Sequence, residues 1–165
     1  MIRSNSSARG KAYRKQPLYR LVMTANAEVA IRSFREADRV QLVQLWSAVF
    51  PDDPPRNAPD RMIDGALAVR PESLLVAVLD GVVVGAVIAG FDGVRGWIYH
   101  LAVAPAHRRR GIATRLLRDA EAALRARGCS KINLQVRATN DGVVAFYRAL
   151  GYEIEERLSM GRTLV

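Results

Sequence analysis

The twenty residues from Ile98 to Leu117, IYHLAVAPAHRRRGIATRLL, constrain this chain more than any other stretch. With Trp97 they open as an apolar run of β character. The run ends at Pro105, because proline has no N–H for a sheet ladder. Arg108, Arg109 and Arg110 follow, then Gly111. From there apolar residues recur at Ile112, Ala113, Leu116, Leu117, Ala120 and Leu124, the spacing of one helical face. The order is strand, short basic loop with a glycine, helix start.

That order suits an anion. The first turn of a helix has N–H groups without internal partners, and the helix dipole adds positive potential there. Phosphate fits such a site. Gly111 has no side chain to keep a phosphate off the backbone, and arginines supply charge and forked donors. The segment therefore reads as a pyrophosphate cradle; the other reading is a solvated basic loop before an ordinary helix. It is neither a P-loop nor a three-glycine dinucleotide fingerprint, because the glycines and the Gly-Lys pair those need are missing. Arg108-Arg109-Arg110-Gly111-Ile112-Ala113, with Thr114 behind, resembles the acetyl-CoA motif of the GNAT acetyltransferase superfamily: Gln or Arg, two residues, Gly, one residue, Gly or Ala.

The rest of the chain is read as one domain of 165 residues, half of them apolar. No long uncharged apolar run suggests a transmembrane helix. A single cysteine, Cys129, allows no internal disulfide and reads as an inert, half-buried thiol. His100 and His107 have no clustered partners, so no metal is expected. The expected compartment is the cytosol. The formal net charge of +9 is uneven. Residues 1–22 hold six basic residues and no acid, which leaves about +3 on the body. The balance describes a basic tail on a near-neutral domain and is no argument for a nucleic-acid enzyme.

Residues 1–27 mix Ser, Arg, Lys and Gly without period and are expected to be disordered. They read as a floppy tail or upstream start before Met23, an anion-binding arm, or a cleaved targeting segment. Residues 28–165 form the domain. A strand over Glu28–Phe34 and a helix over Arg35–Phe50 come first. The loop PDDPPRNAP and a helix over Asp60–Val69 follow. Ser73–Asp80 and Val82–Phe91 are strands joined by an Asp80-Gly81 turn. Gly85 and Gly90 suggest a bulge or a close neighbour. The loop FDGVRG leads into the central strand and resembles that of YpeA-like bacterial GNATs. The basic-loop helix runs to Arg127, with Gly128 as its left-handed cap. A strand over Lys131–Arg137, a helix capped by Asn140 and Asp141, and a last strand pair over Tyr152–Arg157 and Leu158–Leu164 complete the chain. The expected fold is α/β: a mixed, mostly antiparallel sheet of about seven strands with helices on both faces.

This is also the GNAT order, and a second motif strengthens the resemblance. After the fifth strand GNATs carry an Asn, then Ala, an aromatic-Tyr pair, and Leu-Gly-Phe/Tyr. Here these are Asn140, Ala145-Phe146-Tyr147 and Leu150-Gly151-Tyr152. The resemblance implies transfer of an acetyl group from the co-substrate acetyl-CoA to a primary amine, by direct attack in a ternary complex. It implies Tyr147 as general acid, whose other reading is a helix tyrosine packed in the core, and the Leu101 N–H as oxyanion donor. Leu101, Ala102 and Val103 would hold the acetyl carbonyl and pantetheine arm, and the amides of Arg109 to Thr114 the pyrophosphate. Asn140 would contact the pantetheine arm; its other reading is a plain helix cap. Trp97 and Tyr99 stand where many GNATs place a general base, yet neither is a base near neutral pH. They suggest an aromatic wall for the acceptor; the other reading is core packing. Asp92 is a further acceptor-side candidate, as contact or base. His100 is adjacent to Tyr99, but strand alternation points it to the other face, which favours a packed or hydrogen-bonded core histidine over a base. Deprotonation through water, or capture of the neutral amine, stands beside these.

The partners implied are acetyl-CoA and an amine acceptor, a small molecule or a protein N-terminus or lysine; a membrane is not, and a homodimer is left open. Two other functions compete: a non-catalytic acyl-CoA sensor, and a nucleic-acid-associated protein acting through the basic tail.

Overall fold

The computed structural model describes residues 28–164. The basic segment 1–27 lies outside the described residues, as does residue 165. Five strands form one sheet in the order β1-β2-β3-β4-β5: β1 Ala30–Ser33, β2 Leu74–Leu79, β3 Val82–Phe91, β4 Gly96–Val103 and β5 Ile132–Asn133. The first four pair antiparallel and β5 runs parallel to β4. A parallel neighbour needs a crossover, and helix α3, Ile112–Ala126, supplies it. Helices α1, Arg39–Val49, and α2, Pro59–Val69, precede β2; α4, Asp141–Ala149, follows β5.

Strand alternation divides the core between two layers. Leu74 and Val76 of β2 pack with Ala86, Ile88 and Ala102 under Leu42, Trp46 and Ile63 of α1 and α2. Leu75 and Ala77 pack with Val87, Ile98 and Val103 under Leu116, Leu117, Ala120 and Leu124 of α3 and Tyr147 of α4. Helices thus cover both faces, as expected. Asp80 and Gly81, both with positive φ (50° and 80°), make the tight turn between β2 and β3. Gly128 (φ 84°) ends α3.

The strand count corrects the sequence reading: five among the described residues, not about seven. The strand expected over Lys131–Arg137 is only Ile132–Asn133, and no strand forms over 152–164. The alternating pattern in that last segment has no buried side to serve, because Leu158, Met160 and Leu164 stand 95, 93 and 86 % exposed. The segment is tied to β5 and its continuation by side chains, Lys131 to Glu155 and Gln135 to Ser159, without a backbone ladder.

At the sheet's other edge Arg32 of β1 grips Asp38 with both guanidinium nitrogens, at 2.6 and 2.9 Å. The Arg35 N–H donates to the same carboxylate at 2.8 Å. Asp38 is buried, and these donors, the Arg32 hydrogen bond foremost, hold its carboxyl below the usual carboxylate range. Asp38→Ala is expected to cost about 2–3 kcal/mol of stability, somewhat under a fully buried pair because Arg32 keeps solvent contact. Its stabilisation is complete above the unfolded pKa of about 4 and lost as pH falls through the lower folded value. Urea unfolding of wild type and variant should therefore differ at pH 7 and converge in acid.

Candidate active site

Three non-glycine residues among those described have a left-handed backbone, and apart from the hairpin residue Asp80 they lie between Ile98 and Leu117: His100 (φ 48°) and Arg109 (φ 62°). Such a conformation costs about 1 kcal/mol or more and persists where its surroundings enforce it.

At His100 the cause is a bulge. The register steps from Ala86–Ala102 to Ile88–Tyr99, so Val87 of β3 faces two residues of β4, His100 and Leu101. The extra residue alters which way the side chains point. Tyr99 lines an open cavity of about 220 Å³ beside Met62 and Val69 of α2. His100 packs edge-on against Trp46 of α1 and Phe50 just beyond it, with ring centroids 5.2 and 5.0 Å apart. Both residues therefore face the α1/α2 layer, whereas Leu101 packs toward the α3 layer. Simple alternation had placed His100 and Tyr99 on opposite faces; the bulge overturns that.

The His100 Nε2 pairs with Asp53 Oδ2 at 3.0 Å, and the other Asp53 oxygen accepts from Arg137 at 2.8 Å. Burial pulls the imidazole pKa below its ordinary value and the Asp53 charge only partly offsets this, so the ring is mostly neutral at pH 7. The His100 carbonyl accepts from the Trp46 indole N–H at 3.1 Å.

Downstream of the bulge β4 has an edge that no strand among the described residues covers. The Ala104 N–H bonds to Val84, so alternation turns the Val103 N–H and C=O away from β3. On that side β5 pairs only with Gly96 and Trp97, and among the described residues the ladder does not continue beyond them. The Val103 carbonyl is taken by Arg108 Nε at 3.1 Å, which ties the basic loop to the strand edge.

The loop ends at Gly111 (φ 75°), the residue before α3, and a Cβ placed there would meet nothing among the described residues within 4 Å. The amides of Arg109, Arg110, Gly111, Ile112, Ala113 and Thr114 have no hydrogen-bond acceptor among the described residues, and no side chain caps the helix. Six consecutive free N–H groups at a helix start form a concave donor set for an anion. The Arg108 anchor holds the start of this run beside the edge of β4. A ligand with a diphosphate and an extended arm fits this arrangement.

Tyr147 of α4 lies in the same layer, 9 % exposed, its ring against Phe146 and Tyr152 at 5.1 and 5.3 Å. Its hydroxyl makes no hydrogen bond with the described residues and is not sealed from solvent. Burial pushes the phenol up to about 12, so it keeps its proton at any ordinary pH. Asn140 caps α4 by accepting from Val143 N at 3.3 Å. Its amide nitrogen makes no bond within the described residues.

Trp97 and Tyr99 stack at 6.3 Å with 17° between their rings. Asp92 belongs to the loop it opens: Oδ1 accepts from the N–H groups of Val94 and Arg95 at 2.8 and 2.7 Å, and Oδ2 from the Trp97 indole at 3.3 Å. The backbone donors hold its carboxyl below the usual range, which makes it a poor proton acceptor. Sequence reasoning missed Trp46, Asp53 and Arg137. A tryptophan inside an amphipathic helix carries an N–H that must find an acceptor; that signal was available, but its partner was not.

Known proteins match this chain in sequence and in fold. The model of the Acetyltransferase (GNAT) family matches residues 39–152. An acetyltransferase of Sodalis glossinidius is 42% identical over 136 residues, 82% of this chain and 95% of that protein. An acetyltransferase of Yersinia pestis is 39% identical over 135 residues, with the same coverage. Among solved structures, the aminoglycoside N-acetyltransferase AAC(6')-Iy in complex with CoA superposes with a TM-score of 0.69 at 22% identity, covering 87% of this chain and 99% of that one. The chain belongs to the GNAT acetyltransferase family, enzymes that move an acetyl group from acetyl-CoA to an amine.

Proposed function

We propose that the acetyl group passes directly from acetyl-CoA to a primary amine in a ternary complex, with Tyr147 protonating the departing thiolate. The observation that carries this is the run of six free amides, Arg109 to Thr114, beside the unpaired edge of β4. The pyrophosphate sits on those amides. The pantetheine arm follows Val103 and the amide of Asn140, and the thioester carbonyl accepts from the Leu101 N–H. The amine approaches from the α1/α2 side, past Tyr99 and Trp97, and loses its proton to water.

The chemistry balances at three atoms. The amine nitrogen forms a bond to the carbonyl carbon, and the oxygen gains charge that a positioned N–H stabilises. The C–S bond then breaks, and the sulfur takes the Tyr147 proton, which water restores. A thiol of pKa about 8.5 is the stronger acid in water. In a dry site, though, the thiolate also loses its solvation, which raises its affinity for the proton. A phenol that holds its proton at neutral pH can act here only as a donor.

Two measurements test the reading. Calorimetry should show CoA binding, weakened about tenfold by Arg109→Ala with Arg110→Ala, since charge-assisted hydrogen bonds contribute about 1.5–3 kcal/mol. Thiol release from acetyl-CoA, followed against a panel of aminoglycosides, polyamines and peptides, should rise with at least one amine. CoA binding without any amine-dependent release would replace transfer with sensing. No CoA binding would end both readings.

A further inference from the structure

The geometry points to Trp46 as a positioning residue that aims the oxyanion donor from the opposite face of the sheet. This rests on the acetyl-transfer reading above, in which the Leu101 N–H receives the thioester carbonyl.

The His100 carbonyl and the Leu101 N–H belong to one peptide group. That group is trans and planar, so the two point in opposite directions. The Trp46 indole N–H holds the carbonyl at 3.1 Å. It therefore sends the Leu101 N–H away from α1, toward the layer that holds Tyr147. Trp46 is well placed to impose this, being 1 % exposed and fixed in the core under α1 and α2. His100, which carries this carbonyl, has a left-handed backbone, φ 48°. Trp46 and Phe50 flank its ring, and Asp53 holds the ring nitrogen at 3.0 Å. A lone histidine on a strand would relax out of that conformation. Here one hydrogen bond to its carbonyl, two aromatic contacts and a carboxylate prevent it. Side chains on the α1 side thus control a donor that acts on the other side, and none of them touches the thioester.

The test reads the carbonyl itself and needs no acceptor amine. Acetyl-CoA labelled with carbon-13 at the acetyl carbonyl is bound to the full-length protein and its resonance compared with that of the free thioester. In the wild type the bound resonance should lie downfield, as a carbonyl polarised by an N–H does. Trp46→Phe should bind within about threefold of wild type, because the amides of the α3 start are untouched, yet lose most of that displacement. A second variant, with 3-benzothienylalanine at position 46, keeps the volume of the indole and lacks the N–H; it should behave the same way, and it decides the matter if Trp46→Phe does not fold. A full downfield displacement retained in a variant without the N–H overturns the inference. So does a wild-type complex whose carbonyl is not displaced. Failure of the wild type to bind acetyl-CoA strikes instead at the acetyl-transfer reading.

Discussion

Tyr147→Phe is expected to lower kcat about 10²-fold or more, the usual scale for a positioned proton donor, while leaving the KM for acetyl-CoA within a few-fold. The variant removes one oxygen. The ring of Tyr147 is the part that packs, against Phe146 and Tyr152, and phenylalanine keeps that packing. The hydroxyl has no partner among the described residues to strand, so the unfolding free energy should stay within about 0.5 kcal/mol of wild type. A core role would give the reverse: lost stability and unchanged turnover. Steady-state rates with an amine that turns over, taken beside a urea melt, distinguish the two. The chemistry-step loss should also shrink for thioesters whose thiols are more acidic, because such a thiolate leaves without a proton.

Gly85→Val should damage both fold and cofactor binding. A Cβ on Gly85 would lie 3.0 Å from the Ala102 carbonyl oxygen, 3.0 Å from Leu116 Cδ1 and 3.3 Å from Ile112 Cγ2. The first of these is backbone of β4 and cannot rotate aside. The helix must lift, and it lifts at the end where the free amides begin. Overpacking of this kind costs about 1–3 kcal/mol, and valine adds two methyls beyond the first clash. The expected result is a loss of about 3 kcal/mol in urea and a CoA Kd raised about tenfold or more, since misplaced donors lose charge-assisted bonds. Gly65 in α2 is the contrast: a Cβ there meets nothing among the described residues within 4 Å, so Gly65→Ala should stabilise by about 0.5–1 kcal/mol and leave binding alone.

These two residues also mark what could be read from the chain without its structure. Gly85 stood out as a glycine inside an apolar strand, which implied a bulge or a close neighbour. Both are present: the register of β3 shifts beside it, and α3 lies on it. Tyr147 came from a motif and Gly111 from a strand–loop–helix order that one pass along the residues reveals. The bulge at His100 was not legible, because WIYHLAV reads as one unbroken run and the extra residue appears only in pairing with β3. Asp53 lay in a proline loop without a signature. Its meaning comes from His100, 47 positions away, and Arg137, 84 positions away. The C-terminal strand pair was inferred from alternation, a pattern that makes a strand only where one face finds cover.

The central claim is that the open amides before and within the first turn of α3 grip a diphosphate and so lay the thioester along the edge of β4. A crystal structure of the protein with CoA tests it most directly. Phosphate oxygens are expected within hydrogen-bond distance of the amides between Arg109 and Thr114, with the sulfur between the Leu101 N–H and the Tyr147 hydroxyl. Diphosphate bound elsewhere, or a sulfur on the far side of the sheet from Tyr147, would contradict it.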